Sequence, residues 1–329
     1  MTTIVTGAAG FVGFHVAQAL LARGEAVVGI DNLNAYYDVR LKQARLKVIE
    51  AQPGFEFHQV DLADKNALFA VFDRARDATR IVHLAAQAGV RHSMIDPYAY
   101  VTSNVMGHVT LLEACRRLER LDHLVYASSS SVYGGNAKLP FAETDPVDTP
   151  VSLYAATKRS DELISHAYGH LYGLPQTGLR FFTVYGPWGR PDMAYYSFAQ
   201  AIMQGRPITL YDGGRLRRDF TYVDDIVAGV LACLDRVPAA GDVPKVFNIG
   251  NNRAEWVSDL VRLLEDGLGR KAIVHDGPRP IADVVETCAD LTAITAHAGY
   301  QPTTSLAVGV PRFVEWFSWF HREIGHPSS

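Results

Sequence analysis

Short apolar runs alternate with longer stretches in which apolar residues return every three or four positions, and this alternation fills the first 170 residues. Thr2-Thr3-Ile4-Val5-Thr6 reads as a strand, and a helix follows to about Arg23. Ala26 to Ile30 reads as a second strand ending at Asp31, a helix is expected over Val39–Glu50, and Phe55 to Val60 is a third strand. The series continues with a helix over Lys65–Arg76, a strand at Ile81–Leu84, a long helix over Tyr98–Leu118 and a strand at Leu124–Ala127. A helix over 152–172 and a sixth strand at Gln176–Phe182 complete it. Alternation of this kind predicts an α/β fold, a doubly wound parallel sheet whose ligands lie beyond the carboxyl ends of the strands.

Past Phe182 the pattern shortens, with Gly186-Pro187, Arg190-Pro191 and Gly213-Gly214 breaking it into small pieces. Val246 to Ile249 reads as a returning strand, Trp256 to Leu264 as a helix, and Val310 to Ile324 as a closing amphipathic helix. The expectation is a smaller lobe interleaved with the first half, so that residues 1–180 form one unit and 181–329 the other.

The strand ends carry the chemistry. Gly7, Gly10 and Gly13, with Phe11 and Val12 between the last two, join the first strand to the first helix. Glycines at such a turn let a pyrophosphate approach backbone N–H groups at the positive end of the helix. Asp31 closes the second strand 18 residues after Gly13, where a carboxylate accepts both hydroxyls of an adenosine ribose and repels a 2′-phosphate. NAD is therefore expected over NADP. Asp61 and Leu62 end the third strand within reach of an adenine, and Ala85 and Ala86 end the fourth with side chains small enough for close approach.

A run of four serines, Ser128 to Ser131, ends the fifth strand, and Tyr154 and Lys158 follow in a segment free of Pro and Gly. Four residues apart on a helix, the phenol and the ammonium share one face. A free phenol ionises near pH 10, and a neighbouring cation favours the phenolate, which brings the tyrosine within range of base work near neutrality. A serine hydroxyl alongside would hold the oxygen of a carbinol whose proton the tyrosine takes while a nicotinamide takes the hydride.

Composition narrows the partners. The 329 residues carry 20% charged and 48% hydrophobic residues with a net charge of -4, which gives no electrostatic footprint for nucleic acid or an anionic membrane. Any substrate phosphates must be met by local arginines. Cys115, Cys233 and Cys288 lack metal-ligand spacing and read as buried thiols. A strand-like segment directly after Met1 and the lack of a long apolar run make a cytoplasmic protein the expectation.

Taken in order, Val5 to Gly13, Asp31 to Asn34, His83 to Arg91, Ala127 to Gly134, Ser152 to Lys158, Leu179 to Trp188 and Arg218 to Tyr222 resemble the extended short-chain dehydrogenase/reductases. Within them, the chain is most similar to the nucleotide-sugar 4-epimerases of the UDP-glucuronate 4-epimerase group. The resemblance implies a Rossmann-like NAD-binding domain with a nucleotide-sugar lobe, and a homodimer packed through the two long helices. It implies Tyr154 as the base, Lys158 as its modifier and a nicotinamide-ribose ligand, and Ser129 as the catalytic hydroxyl, with Ser128 the alternative. Asn32, Leu84, Asn104, Ser128 and Phe181 join the cofactor residues.

By the resemblance, relatives that dehydrate the sugar carry Asp-Glu where this chain has Ser130 and Ser131, and those that decarboxylate UDP-glucuronate carry a Glu at the position of Ser131. Replacement of these acids by hydroxyls implies an oxidation at C4 that stops and reverses, which is epimerisation. For a UDP-glucuronate substrate, Ser130, Ser131, Thr183 and Arg190 are the expected carboxylate ligands. Arg91, Arg218 and Arg279 are the expected ligands of the diphosphate and the rim. A UDP-glucose epimerase, a UDP-glucuronate decarboxylase and a non-catalytic NAD-binding scaffold are the alternatives.

Overall fold

A computed structural model describes residues 1–239, 241–280 and 283–323. Seven strands form one all-parallel sheet: β1 (Thr2–Thr6), β2 (Ala26–Asp31), β3 (Phe55–Gln59), β4 (Arg80–His83), β5 (His123–Ser129), β6 (Gln176–Phe181) and β10 (Lys245–Ile249). Their spatial order is β10-β6-β5-β4-β1-β2-β3, so the chain reverses direction across the sheet between β1 and β4. A crevice opens at the carboxyl ends of such neighbours because their connections leave on opposite faces.

Both faces of the sheet are covered. Helix α1 (Phe11–Ala22) packs on one face with α8 (Val223–Leu234), burying Phe14, Val16, Leu20, Val230 and Leu234. On the other lie α3 (Lys65–Arg74), α5 (Gly107–Cys115) and α6 (Leu153–Tyr172), over Leu68, Phe72, Leu111 and Leu124. Strands β1, β2, β4 and β5 are buried almost throughout because both of their faces are covered, whereas the edge strand β3 exposes Glu56 and Gln59.

The long helix expected over 98–118 is interrupted. It begins as α4 (Pro97–Tyr100), passes through a π-helical stretch at Val101–Met106 and resumes as α5. Asn104 lies in that stretch, and its side chain bonds both the N–H and the carbonyl of Gln87 at 2.8 and 3.1 Å. A widened turn at such a polar anchor keeps the rest of the helix in register.

The remaining chain includes a three-stranded sheet of β7 (Thr183–Tyr185), β9 (Arg217–Tyr222) and β11 (Ala254–Trp256), and a pair, β8 (Pro207–Tyr211) with β12 (Ile273–Gly277). Helices α7 (Ala194–Gln204), α9 (Val257–Leu268) and α11 (Leu306–Glu323) enclose a core containing Tyr195, Tyr196, Phe313 and Phe317. Helix α11 starts four residues before the expected Val310 and passes Pro311, while the expected terminus Ile324 lies outside the described residues. The returning strand β10 completes the large sheet beside β6, while β7, β9 and β11 stand apart from it. Cys115 and Cys233 are buried, and Cys288 is half-buried, contrary to the expectation of three buried thiols.

Candidate active site

An open cleft of about 960 Å³ lies over the carboxyl ends of the large sheet. Its cofactor-like end is built by the turn from β1 into α1. Gly7 takes a positive φ of 72°, and a Cβ there would stand 2.8 Å from the Ala85 nitrogen. A Cβ on Gly13 would collide with the Gly7 carbonyl oxygen. With those side chains absent, the N-terminal N–H groups of α1 face the cleft, and Gly10 at the cap supplies no side-chain acceptor for them. A pyrophosphate fits this cradle.

Asp31 stands beside the cradle. Its Oδ2 accepts from the Ala9 N–H at 3.2 Å and its Oδ1 from the Leu33 N–H at 2.8 Å. Each oxygen keeps a lone pair for a ribose hydroxyl. Asn32 donates to Asp61 at 2.8 Å, and these two with Leu62, Leu84, Ala85 and Ala86 line the same end. Phe181 is also on the wall. Asn104 is not: it is 2% exposed and is tied to Gln87 and, at 3.0 Å, to Thr157, so it braces the wall from behind.

The Ser152 hydroxyl caps α6 by accepting from the Ala155 N–H at 3.1 Å. That cap fixes the helix start, putting Tyr154 in its first turn and Lys158 one turn further along, both on the cleft wall. The Lys158 ammonium donates to the Ala127 carbonyl at 2.9 Å and to Asp161 at 3.1 Å. The Tyr154 ring meets Tyr100 edge-on, with centroids 6.0 Å apart.

The serine run divides by partner. Ser128 donates to Glu162 at 2.6 Å, and Glu162 is gripped by Arg180 through two further bonds of 2.8 and 2.9 Å. Ser129 instead shares a short 2.5 Å hydrogen bond with Ser131 at the cleft surface, and Ser130 is on the lining with them. Ser128 also lines the cleft, but its hydroxyl is spent on Glu162, whereas that of Ser129 is bonded only within the serine run.

At the substrate-like end, Thr183, Arg190, Arg91 and Arg218 all reach the lining. Their guanidinium groups are already paired. Arg190 binds Asp192 through Nε and Nη2 at 3.0 and 2.6 Å, and the Tyr36 hydroxyl donates to the same carboxylate at 3.1 Å. Asp283 accepts from Arg218 and lies 3.7 Å from Arg91, which also stacks over Tyr211 at 4.9 Å. Arg279 is exposed and absent from the lining, so the expected convergence of three arginines reduces to two. Its neighbours Ile281 and Ala282 lie outside the described residues.

The family model of the NAD dependent epimerase/dehydratase family matches residues 3–250. The chain belongs to this family. It is 48% identical over 330 residues to UDP-glucuronate 4-epimerase 4 of Arabidopsis thaliana, spanning 96% of this chain and 75% of that one. It is 43% identical over 337 residues to Protein CapI of Staphylococcus aureus, spanning 98% and 100% of the two chains. The crystal structure of UDP-glucuronic acid 4-epimerase from Bacillus cereus, in complex with UDP-glucuronic acid and NAD, shares the fold with a TM-score of 0.90. Identity there is 34%, over 97% of this chain and 100% of that one.

For a member of this epimerase/dehydratase family, several polar groups around the cleft went unseen in the sequence. Arg45 is fully buried, has no carboxylate partner among the described residues, and bonds the carbonyls of Ala9, Trp188 and Gly189 at 2.9, 2.6 and 3.2 Å. It pins the glycine turn to the loop that carries Arg190. Lys42, also buried, donates to Asn34 at 2.8 Å, and burial draws its ammonium below the ordinary lysine value. Both lie on α2 (Val39–Glu50). Their charges broke the apolar pattern there, and only their spacing beside Leu41, Leu46 and Ile49 could have marked them as inward-facing.

Proposed function

We propose that this chain is an NAD-dependent UDP-glucuronate 4-epimerase, interconverting UDP-glucuronate and UDP-galacturonate through a 4-keto intermediate. The observation that carries the reading is that Tyr154, Lys158 and Ser129 line one cleft together with the hydroxyls of Ser130 and Ser131, positions where the resemblance implies acids in dehydratases and, at Ser131, in decarboxylases. The relatives named for UDP-glucuronate epimerisation agree with it.

In this reading Tyr154 takes the proton of the C4 hydroxyl, Ser129 holds that oxygen, and the Lys158 ammonium stabilises the phenolate. NAD, when bound, supplies the acceptor for the C4 hydride and returns it. The keto sugar turns over within the cleft, and Tyr154 gives the proton back on the opposite face. A 4-keto glucuronate is a β-keto acid, which loses carbon dioxide when its carboxylate bond aligns with the carbonyl π system. Thr183, Ser130, Ser131 and Arg190 hold that carboxylate out of line. Arg91 and Arg218 take the diphosphate, so residues 1–180 serve the cofactor and 181–329 mainly the sugar nucleotide.

A homodimer belongs to the same reading. Ile95, Tyr98 and Val101, before and within the broken helix, are 77%, 82% and 48% exposed, and Leu163 and Leu171 of α6 are 55% and 65% exposed. Apolar surface of this kind calls for a partner. We place the enzyme in the cytoplasm. Among the described residues, no helix is long and apolar enough to cross a membrane. The deciding experiment supplies UDP-glucuronate to purified protein with no added cofactor and resolves the sugars. UDP-galacturonate as the product supports the reading, and pentose or no product refutes it.

A further inference from the structure

One ionisable group close to the reacting centre has no part in the chemistry above. Asp161 lies on α6 three residues beyond Lys158, is 1% exposed, and accepts from the Lys158 ammonium through Oδ2 at 3.1 Å. Its Oδ1 is buried without any hydrogen-bond partner among the described residues. A carboxylate half-satisfied in this way is costly to keep in the interior. The lysine it touches is itself 2% exposed.

We propose that Asp161 is a positioning residue for Lys158, holding the buried ammonium charged and aimed along the cleft wall, and thereby setting the pH range in which Tyr154 works as a base. The lysine has three donors. Ala127 and Asp161 take two of them, which fixes the rotamer and leaves the third for the cleft.

The surroundings add little compensating charge of either sign. Glu162, next along α6, is ionised and held by Arg180 of β6, Ser128 of β5 and Arg159. His108 of α5 and His83 of β4 stack with centroids 5.3 Å apart, and burial drives both imidazoles neutral, His108 down to about 3. Tyr126 of β5 is buried and un-ionised, its phenol pushed up by burial. Lys158 is therefore the cation that answers Asp161. Burial pushes the Asp161 carboxyl up to about 6 against the pull of that lysine, so its charge is present at neutral pH and fades in mild acid.

Two consequences run the same way. Without the carboxylate, nothing offsets the lysine's field at the phenol, so Tyr154 ionises at lower pH. Without its counter-ion, the buried ammonium also gives up its proton at lower pH. Asp161→Asn keeps the shape and removes the charge. Both limbs of its bell-shaped kcat profile should move towards acid by about one pH unit, the scale expected for one charge removed at several ångströms. A purely structural residue would lower the bell without moving it.

The inference rests on the epimerase reading for its assay, and a second measurement separates the two. Ultraviolet difference titration of Tyr154, taken against Tyr154→Phe in the wild-type and Asp161→Asn backgrounds, needs no turnover. A phenol midpoint that falls in Asp161→Asn supports the proposal even if UDP-glucuronate is not a substrate. Unmoved midpoints in both assays overturn it while leaving the epimerase reading intact. Should Asp161→Asn fail to fold, the same ultraviolet titration in Asp161→Ser decides: a phenol midpoint that falls supports the proposal, and an unmoved one overturns it.

Discussion

The Nε and Nη2 of Arg190 close on the two carboxylate oxygens of Asp192 at 3.0 and 2.6 Å, so the cation proposed to hold a sugar carboxylate already holds one from its own chain. The pair uses the Nε and Nη2 edge of the guanidinium, and Nη1 has no hydrogen-bond partner among the described residues. Asp192 is also fixed by Tyr36, which confines Arg190 to the orientation seen. A substrate carboxylate must share the cation with Asp192 or displace it.

That sharing has a measurable cost. Asp192→Asn should lower KM for UDP-glucuronate several-fold and raise its kcat/KM relative to UDP-glucose, because the cation is no longer offset. Arg190→Ala should do the reverse, raising KM for UDP-glucuronate by about 10- to 100-fold, the worth of a lost charge-assisted bond. Pentose should appear among its products as the carboxylate swings into line. Steady-state kinetics on both sugars, with product resolution, checks this. An unchanged substrate ratio in both variants would remove Arg190 from carboxylate recognition.

Ser128 and Ser129 should separate cleanly. Ser129→Ala removes a hydroxyl at the cleft surface and should cut kcat by about 100-fold at unchanged melting temperature. Ser128→Ala strips a donor from buried Glu162 and should cost about 1–3 kcal/mol of stability, with a smaller effect on kcat. The sinking result is the opposite assignment, with Ser128→Ala inactive and fully stable.

The parallel sheet and its strand ends were readable because each rests on local chemistry. Glycines at a tight turn, an acid at a strand end and a Y-x-x-x-K spacing on a helix leave marks within a few residues. What stayed hidden is made of contacts far apart in sequence. Arg45 reaches Trp188 and Arg218 reaches Asp283, and no spacing rule connects them. The resemblance places Asn104 among the cofactor residues, and its side chain is bonded to the Gln87 backbone and to Thr157, contacts that its position in the sequence does not show. The helix over Val39–Glu50 is legible in the sequence, but the burial of Lys42 and Arg45 on it is not.

Gly13→Ala tests the cradle directly. The new methyl group would meet the Gly7 carbonyl, which is backbone held by a bond from the Gly10 N–H at 2.8 Å and cannot yield as a flexible side chain would. Protein purified from this variant should carry little NAD, measured after release by acid, and should gain little thermal stability when NAD is added. Wild-type-like retention would mean that the turn shifts to admit the methyl, and that the pyrophosphate does not depend on the close packing.

Glu162 and Asp161 are adjacent in the chain, and their contributions to stability run in opposite directions with pH. Burial alone would raise Glu162, but Arg180 and Ser128 overcome it and hold the carboxyl below its ordinary value. Its stabilisation is therefore present above the unfolded carboxylate value and is lost as pH falls through the lower folded value. Asp161 is raised to about 6 from an ordinary 3.8, so the folded state favours its proton. That contribution is complete below the unfolded value and lost as pH rises through 6, a change on the order of 3 kcal/mol across the window. Urea melts between pH 4 and 8 should show Asp161→Asn gaining on the wild type as pH rises. Glu162→Gln, which leaves the Arg180 guanidinium buried without an anion, should lose about 3–5 kcal/mol at pH 7 and less in acid. Parallel pH curves for the wild type and Asp161→Asn would mean that Asp161 is ionised throughout, with its charge fully matched by Lys158.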